Sequence, residues 1–179
     1  MNTSRSNLAV GKRQAPLSAD SEQSRETFAH FGLAMYRAQC VEKQLSILLA
    51  TTLQPAFLRL TPEERDVYFD IEFRKTLGQL VKSLHAGIPV PQALEGRLSR
   101  ALTLRNWLAH EYFWQRSSQA LSSRGRDQMI VELREAAEFL FSVDTELTGI
   151  SEAWLAQNGV PRGVIEAEME AFLRESGAE

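Results

Sequence analysis

The chain holds 179 residues, 44% of them apolar and 24% charged, with 20 Lys and Arg against 23 Asp and Glu and one Cys. That length fits one domain that folds without metal or disulfide, and one Cys excludes a disulfide framework or Cys-based zinc finger and suits a reducing, cytoplasmic setting. No run reaches the roughly 18 apolar residues of a membrane span, residues 1–20 lack the apolar core of a secretory signal, and a net charge of −3 speaks against general nucleic-acid adhesion.

Residues 1–20 are small and polar, include Pro16, show no periodicity and read as a disordered leader. From Ser21 the pattern changes. Phe28, Phe31, Met35, Ala38, Leu45 and Leu49 recur at three- and four-residue steps and predict a first long helix. Glu42 falls on that stripe where an apolar residue is expected; it is either buried against an Arg such as Arg105 or open to water at the helix edge. Thr61, Pro62, Glu63 and Glu64 start a second helix by capping, ring geometry and charge. It runs to about Leu84 and stops near Gly87, with a break or kink allowed at Phe69–Glu72. Pro91 opens a third helix, whose apolar positions include Leu94, Leu98, Ala101, Leu108, Ala109 and Tyr112 and which reaches about Gln119. Met129, Leu133, Ala136, Leu140, Val143, Leu147, Ile150 and Trp154 follow at alternating steps of four and three, a heptad seam for a fourth helix. Gly149 is its one weak point, and Asn158-Gly159 ends it. A short acidic helix from Pro161 completes the chain. No segment alternates as a strand does, so the expectation is an all-α fold, an antiparallel four-helix bundle over 21–159 with an additional C-terminal helix over 160–179.

Phosphate loops, dinucleotide fingerprints, zinc-protease and nucleophile-elbow motifs are absent. His30, His85 and His110 lie in separate segments, which predicts no metal site, and nothing calls for a cofactor. One segment stands apart, Leu104 to Phe113, where Arg105, Asn106, His110 and Tyr112 interrupt an apolar helix. Asn106 and His110 share one row and Arg105 and Tyr112 an adjacent one. Arg105 and His110 are about 140° apart on an ideal helix. They converge only through long reach, a distorted helix or a second copy of the chain. Such a set suits cleavage of a phosphodiester: an imidazole as general acid or base, a guanidinium fork for the phosphate, Asn to orient, and Tyr to stack or donate. The same residues also serve merely to cap and solvate a bundle helix.

Arg105-x4-His110-x-Tyr112 on the third helix of an all-helical chain resembles the signature of HEPN domains. The Arg105-Asn106-x3-His110-x-Tyr112 form is most similar to the HepT-type toxins, and Phe73 to Leu80 resembles, more loosely, a second-helix segment of the group. The likeness covers about Ser21 to Gly159. It implies a homodimer whose third helices form a cleft, and a metal-independent endoribonuclease acting as a bacterial toxin or phage-defence effector. Arg105 and His110 would be its catalytic pair, Asn106 an orienting residue and Tyr112 a supporting one. It also implies a nucleotidyltransferase-type antitoxin that adds AMP to Tyr112. Many HEPN domains do no chemistry, so the alternative is a helical module binding RNA, a nucleotide or a partner protein. The chain departs from the type in its length, its leader and its acidic end.

Residues 96–126 contain six Arg (97, 100, 105, 116, 124 and 126) and one acid, Glu111, a local net of +5 that leaves −8 for the rest. Arg97, Arg100 and Arg116 are accordingly expected to contact RNA, with Trp107, Tyr112, Phe113 and Trp114 available to stack bases or to fill core and interface. A solvated helix face accounts for the arginines equally well. From Val164 on, five Glu stand against Arg174, a segment able to shield a basic cleft or simply to face water.

Overall fold

The computed structural model describes residues 19–53, 57–87, 91–160 and 174. Within them lie seven α-helices and no strand: α1 (Ala19–Thr52), α2 (Pro62–Phe73), α3 (Leu77–Gly87), α4 (Gln92–His110), α5 (Tyr112–Gln115), α6 (Ser117–Ala120) and α7 (Ser123–Gln157), with a 3-10 turn at Phe57–Arg59. The all-helical expectation holds. The predicted leader up to residue 18 and nearly all of the predicted acidic helix lie outside the described residues. No helix among the described residues is long and apolar enough to cross a membrane.

Local chemistry explains the boundaries. Thr61 caps α2 as expected, its hydroxyl accepting from the Glu64 N–H while the Glu64 carboxylate accepts from the Thr61 N–H at 2.9 Å. A second cap, unanticipated, divides the predicted second helix. The Thr76 N–H donates to the Gln79 side-chain oxygen at 2.8 Å and the Thr76 hydroxyl accepts from the Gln79 N–H at 3.4 Å, so α3 starts afresh. The break therefore falls at Arg74–Thr76 rather than Phe69–Glu72, and the chain turns back on itself there. The end of α2 lies beside the C-terminal part of α1, where the Ser46 hydroxyl reaches the Glu72 carbonyl at 3.4 Å. α3 and α4 form an antiparallel pair, with His85 3.0 Å from Glu95 at one end and Leu102 against Gly78 at the other.

That added reversal sets the direction of the last helix. Gln23 bonds Asp127 at 2.8 Å and Gln44 bonds Ser151 at 3.2 Å, so α1 and α7, the two longest helices, run parallel along their length. α4 runs against α7, as Arg97 meets Ser142 while Arg116, beyond the end of α4, meets Glu132. The seam of α7 packs as its spacing predicts: Met129, Leu133, Ala136, Leu140, Val143 and Leu147 are buried. Its last two positions do not continue inward. Ile150 is exposed, and Ser151 takes the inner place through its bond to Gln44. Gly149 leaves α7 unbroken. These side chains join Ala34, Ala38, Val41, Leu45 and Leu49 of α1, Leu80 and Leu84 of α3, and Leu94, Leu98 and Leu108 of α4 in one core.

Candidate functional site on helix α4

Leu94, Leu98, Ala101 and Leu108 anchor α4 in the core. Its opposite side presents Gln92, Gly96, Ser99, Thr103, Asn106 and His110, all exposed at steps of four and three. Ala109, expected to face inward, is exposed as well. The helix is continuous from Arg105 to His110, and Glu111 leaves it with φ −124° and ψ −22°. No distortion brings Arg105 and His110 together, so the angle of about 140° and a rise of about 7.5 Å stand between their backbones. Of the three routes to convergence, side-chain reach and a second copy remain.

Arg105 is held from two sides. Its Nη1 donates to the Asn106 side-chain oxygen at 3.2 Å, and its Nη2 lies 3.8 Å from the Glu42 carboxylate. Glu42, the misplaced acid of the first stripe, thus meets Arg105, with both side chains about a quarter exposed. His110 ends α4 exposed, and its ring makes no hydrogen bond or ion pair among the described residues.

Tyr112 points the other way. It is 1% exposed, its ring set edge-on to Trp107 at 4.8 Å and packed on Phe31 and Phe113. Its hydroxyl donates to the Met129 carbonyl at 3.3 Å. Burial pushes the phenol far above its ordinary value, with the Glu132 carboxylate adding to the effect and Arg116 opposing it. The hydroxyl that the resemblance makes an AMP acceptor is therefore enclosed in the core.

The three arginines expected on RNA have different surroundings. Arg97 pairs with Glu146 at 2.7 Å and donates to Ser142 at 2.8 Å. Arg116 makes a two-pronged pair with Glu132 at 2.8 and 2.6 Å and lies over the Trp107 ring. Arg100 is exposed, stacked on Phe139 at 4.0 Å, and has no carboxylate partner among the described residues. Arg126, from the same basic stretch, is 7% exposed and donates to the Ala120 carbonyl and Gln23. The Trp107 indole N–H donates to Gln115 at 2.9 Å, and Phe113 packs on Phe28 and Phe31, which leaves Trp114, 81% exposed, as the one open ring of the four.

The acids that meet these arginines escape a search for motifs. Residues 127–157 carry seven Asp and Glu against Arg134, and Glu132 and Glu146 stand on the shoulder of the α7 seam, facing α4. Between the two helices lies a groove of about 320 Å³ with Leu104, Trp107 and Ala136 in its floor and Arg100 and Glu135 at its edge. His30 lies near Glu26 at 3.8 Å and His85 near Glu95, both ordinary surface pairs. Among the described residues no three His, Cys, Asp or Glu side chains lie close enough to share a metal ion.

α4 thus carries an imidazole open to solvent at His110, a guanidinium turned inward to an acid at Arg105, and at Arg100 a guanidinium with no carboxylate partner among the described residues. It can contact a phosphate and move a proton. No protein-family model, no curated protein and no solved structure matches the chain.

Proposed function

We propose that the chain is a HEPN-like metal-independent endoribonuclease, built as a bundle in which α1, α4, α7 and the α2–α3 pair take the four places, and completed by a second copy. What supports this reading is that α4 bears both an exposed His110, whose ring makes no bond among the described residues, and an Arg105 contacted by Glu42 and Asn106. A second copy is called for because Arg105 turns toward Glu42 of α1, about 140° round α4 from His110, so one copy alone does not present both groups to one phosphate except through side-chain reach.

In this reading His110 takes the proton of a ribose 2′-hydroxyl as that oxygen attacks the adjacent phosphorus. The bond from phosphorus to the 5′-oxygen breaks, a proton is returned to that oxygen, and a cyclic phosphate end remains. Arg105 and Arg100 stabilise the charge that develops on the phosphate oxygens. Tyr112 supports the helix from the core. A bacterial toxin or phage-defence role, in the cytoplasm and with a nucleotidyltransferase antitoxin, belongs to the same proposal.

A second reading, a non-catalytic module binding RNA, a nucleotide or a protein, draws on the enclosure of Tyr112 and the internal pairing of Arg97 and Arg116. One experiment separates the two. Purified protein and its His110→Ala and Arg105→Ala variants are incubated with RNA in the presence of a chelator. Cleavage that falls about 10²- to 10⁴-fold on loss of the imidazole supports the enzyme. Binding without cleavage favours the module, and equal cleavage by wild type and His110→Ala sinks the mechanism.

A further inference from the structure

The groove between α4 and α7 has walls in a defined register. Arg97 meets Ser142 and Arg100 stands on the Phe139 ring, so in this antiparallel pair Glu135 comes level with Leu104 and Glu132 with Trp107. At about 320 Å³ the groove is at the low end of small-molecule sites and too small for a helix. Its floor is apolar, made by Leu104, Trp107 and Ala136. The Trp107 ring is held there by its bond to Gln115 and by Tyr112 set edge-on.

Two opposite charges border this floor, and the protein satisfies neither. The Arg100 guanidinium is stacked on Phe139 at 4.0 Å and makes no hydrogen bond or ion pair among the described residues. The Glu135 carboxylate is exposed and makes none there either. Glu132, by contrast, is taken up by Arg116. With Glu135 level with Leu104, the backbones of Arg100 and Glu135 stand about 6 Å apart along the helix axes. The groove therefore suits a ligand with an anion at one end, a flat apolar body and N–H donors at the other.

We propose that this groove binds a guanine nucleotide, free or as one unit of an RNA strand. Its phosphate lies in the fork of Arg100, its ring on Leu104 and Trp107, and its Watson–Crick edge at Glu135. Guanine alone among the RNA bases presents two adjacent N–H donors on that edge, and a carboxylate, which only accepts, takes both. Adenine, cytosine and uracil each set an acceptor against it. An amino acid fits less well, because its ammonium and carboxylate sit on one carbon while Arg100 and Glu135 stand a helical turn apart. One consequence rests on the ribonuclease reading: the phosphate at Arg100 is then the one cut, and cleavage falls beside guanosine.

Calorimetric titration of the full chain with 5′-GMP, AMP, CMP and UMP tests the site without any cleavage. GMP binds about tenfold or more tighter than the other three, as a pair of charge-assisted bonds provides. Glu135→Gln erases that preference, and Arg100→Ala lowers GMP affinity to that of guanosine; both side chains are exposed, so the variants keep the fold. A single-stranded RNA hexamer with one G, run against the same strand with A in its place, separates the two sources. Tighter binding than GMP, steepened at low salt, assigns the groove to RNA, and weaker binding assigns it to the free nucleotide. Equal affinity for the four nucleotides, no binding at millimolar concentration, or a preference that survives Glu135→Gln overturns the proposal. GMP binding without RNA cleavage leaves this site standing and removes the enzyme, while cleavage without GMP binding does the reverse.

Discussion

Removing the Tyr112 hydroxyl and then its ring separates a structural role from a chemical one. The hydroxyl donates to the Met129 carbonyl at 3.3 Å in a buried setting. Met129 lies inside α7, where its carbonyl also accepts from the helix ladder, so Tyr112→Phe leaves no empty acceptor. The expected loss is therefore at the low end for a buried hydrogen bond, about 0.5–1 kcal/mol. Tyr112→Ala is a different perturbation. It removes a side chain that is 1% exposed and touches Phe31, Trp107 and Phe113, joining α1, α4 and α5. A large-to-small change there costs about 3–5 kcal/mol. At roughly 2–4 °C per kcal/mol for a chain of this size, Tyr112→Phe lowers Tm by about 1–4 °C and Tyr112→Ala by about 6–20 °C. Thermal and urea unfolding of the two variants, run beside RNA cleavage, give the result. A Tyr112→Ala loss below about 1 kcal/mol would show that the ring is no part of the core. Abolished cleavage in a Tyr112→Phe protein of wild-type stability would refute the reasoning, since it would give the hydroxyl a chemical task.

Gly125→Ala is expected to destabilise by about 1–3 kcal/mol, because its Cβ would run into the backbone of Gln119; Gly149→Ala, with nothing within 4 Å, is expected to gain about 0.5–1 kcal/mol, and urea midpoints measure both. Burial pushes the Asp144 carboxyl up while Arg37 pulls it down, so the folded protein holds that proton to higher pH than the unfolded chain and loses stability as pH rises through the interval. Asp144→Asn should accordingly raise Tm at pH 7 and leave it unchanged at pH 3, a contrast that calorimetry at the two pH values decides. Arg116→Ala breaks a pair whose side chains are 26% and 33% exposed, and is expected to cost about 1 kcal/mol of stability with little change in RNA affinity. Arg100→Ala should do the reverse, lowering the affinity and the slope of its salt dependence, which titrations at two ionic strengths record.

Periodicity carried the sequence reading furthest where the core is made. The α7 seam from Met129 to Leu147 and the capping box at Thr61 are where the spacing puts them. Two residues show what it misses. Thr76 and Gln79 form a capping box as legible as that of Thr61 and Glu64, but no Pro marks it and apolar residues recur on both sides, where uninterrupted helix is the simpler expectation. That one cap adds a reversal to the chain, and the reversal turns the last helix parallel to the first. Topology thus hung on two polar side chains that contribute little to any hydrophobic pattern. Tyr112 teaches the opposite lesson. Its spacing of four from Leu108 puts it on the inward row of the predicted third helix, and the resemblance assigns it a task at the surface; the burial follows the spacing, although α4 ends at His110 and Tyr112 opens α5.

Charge is where reading along the chain departs most from packing across it. Six arginines within 31 residues make a basic stretch only while the helix that covers them is left out. α7 brings Glu132 to Arg116 and Glu146 to Arg97, α1 brings Glu42 to Arg105, and Arg126 turns inward to a carbonyl. Half-buried guanidinium groups require such partners, because a charge withdrawn from water unpaired is costly. The net charge of −3 and the local +5 are therefore both poor measures of what a polyanion meets. What a polyanion would meet on α4 is narrower: Arg100 without a carboxylate and His110 without a bond among the described residues, and an Arg105 whose 3.8 Å contact to Glu42 is long enough to yield to a phosphate. Glu42→Gln tests that last step directly. If Arg105 serves RNA, neutralising its competitor strengthens RNA binding; if Arg105 only ties α4 to α1, the same change weakens the fold and leaves binding as it was.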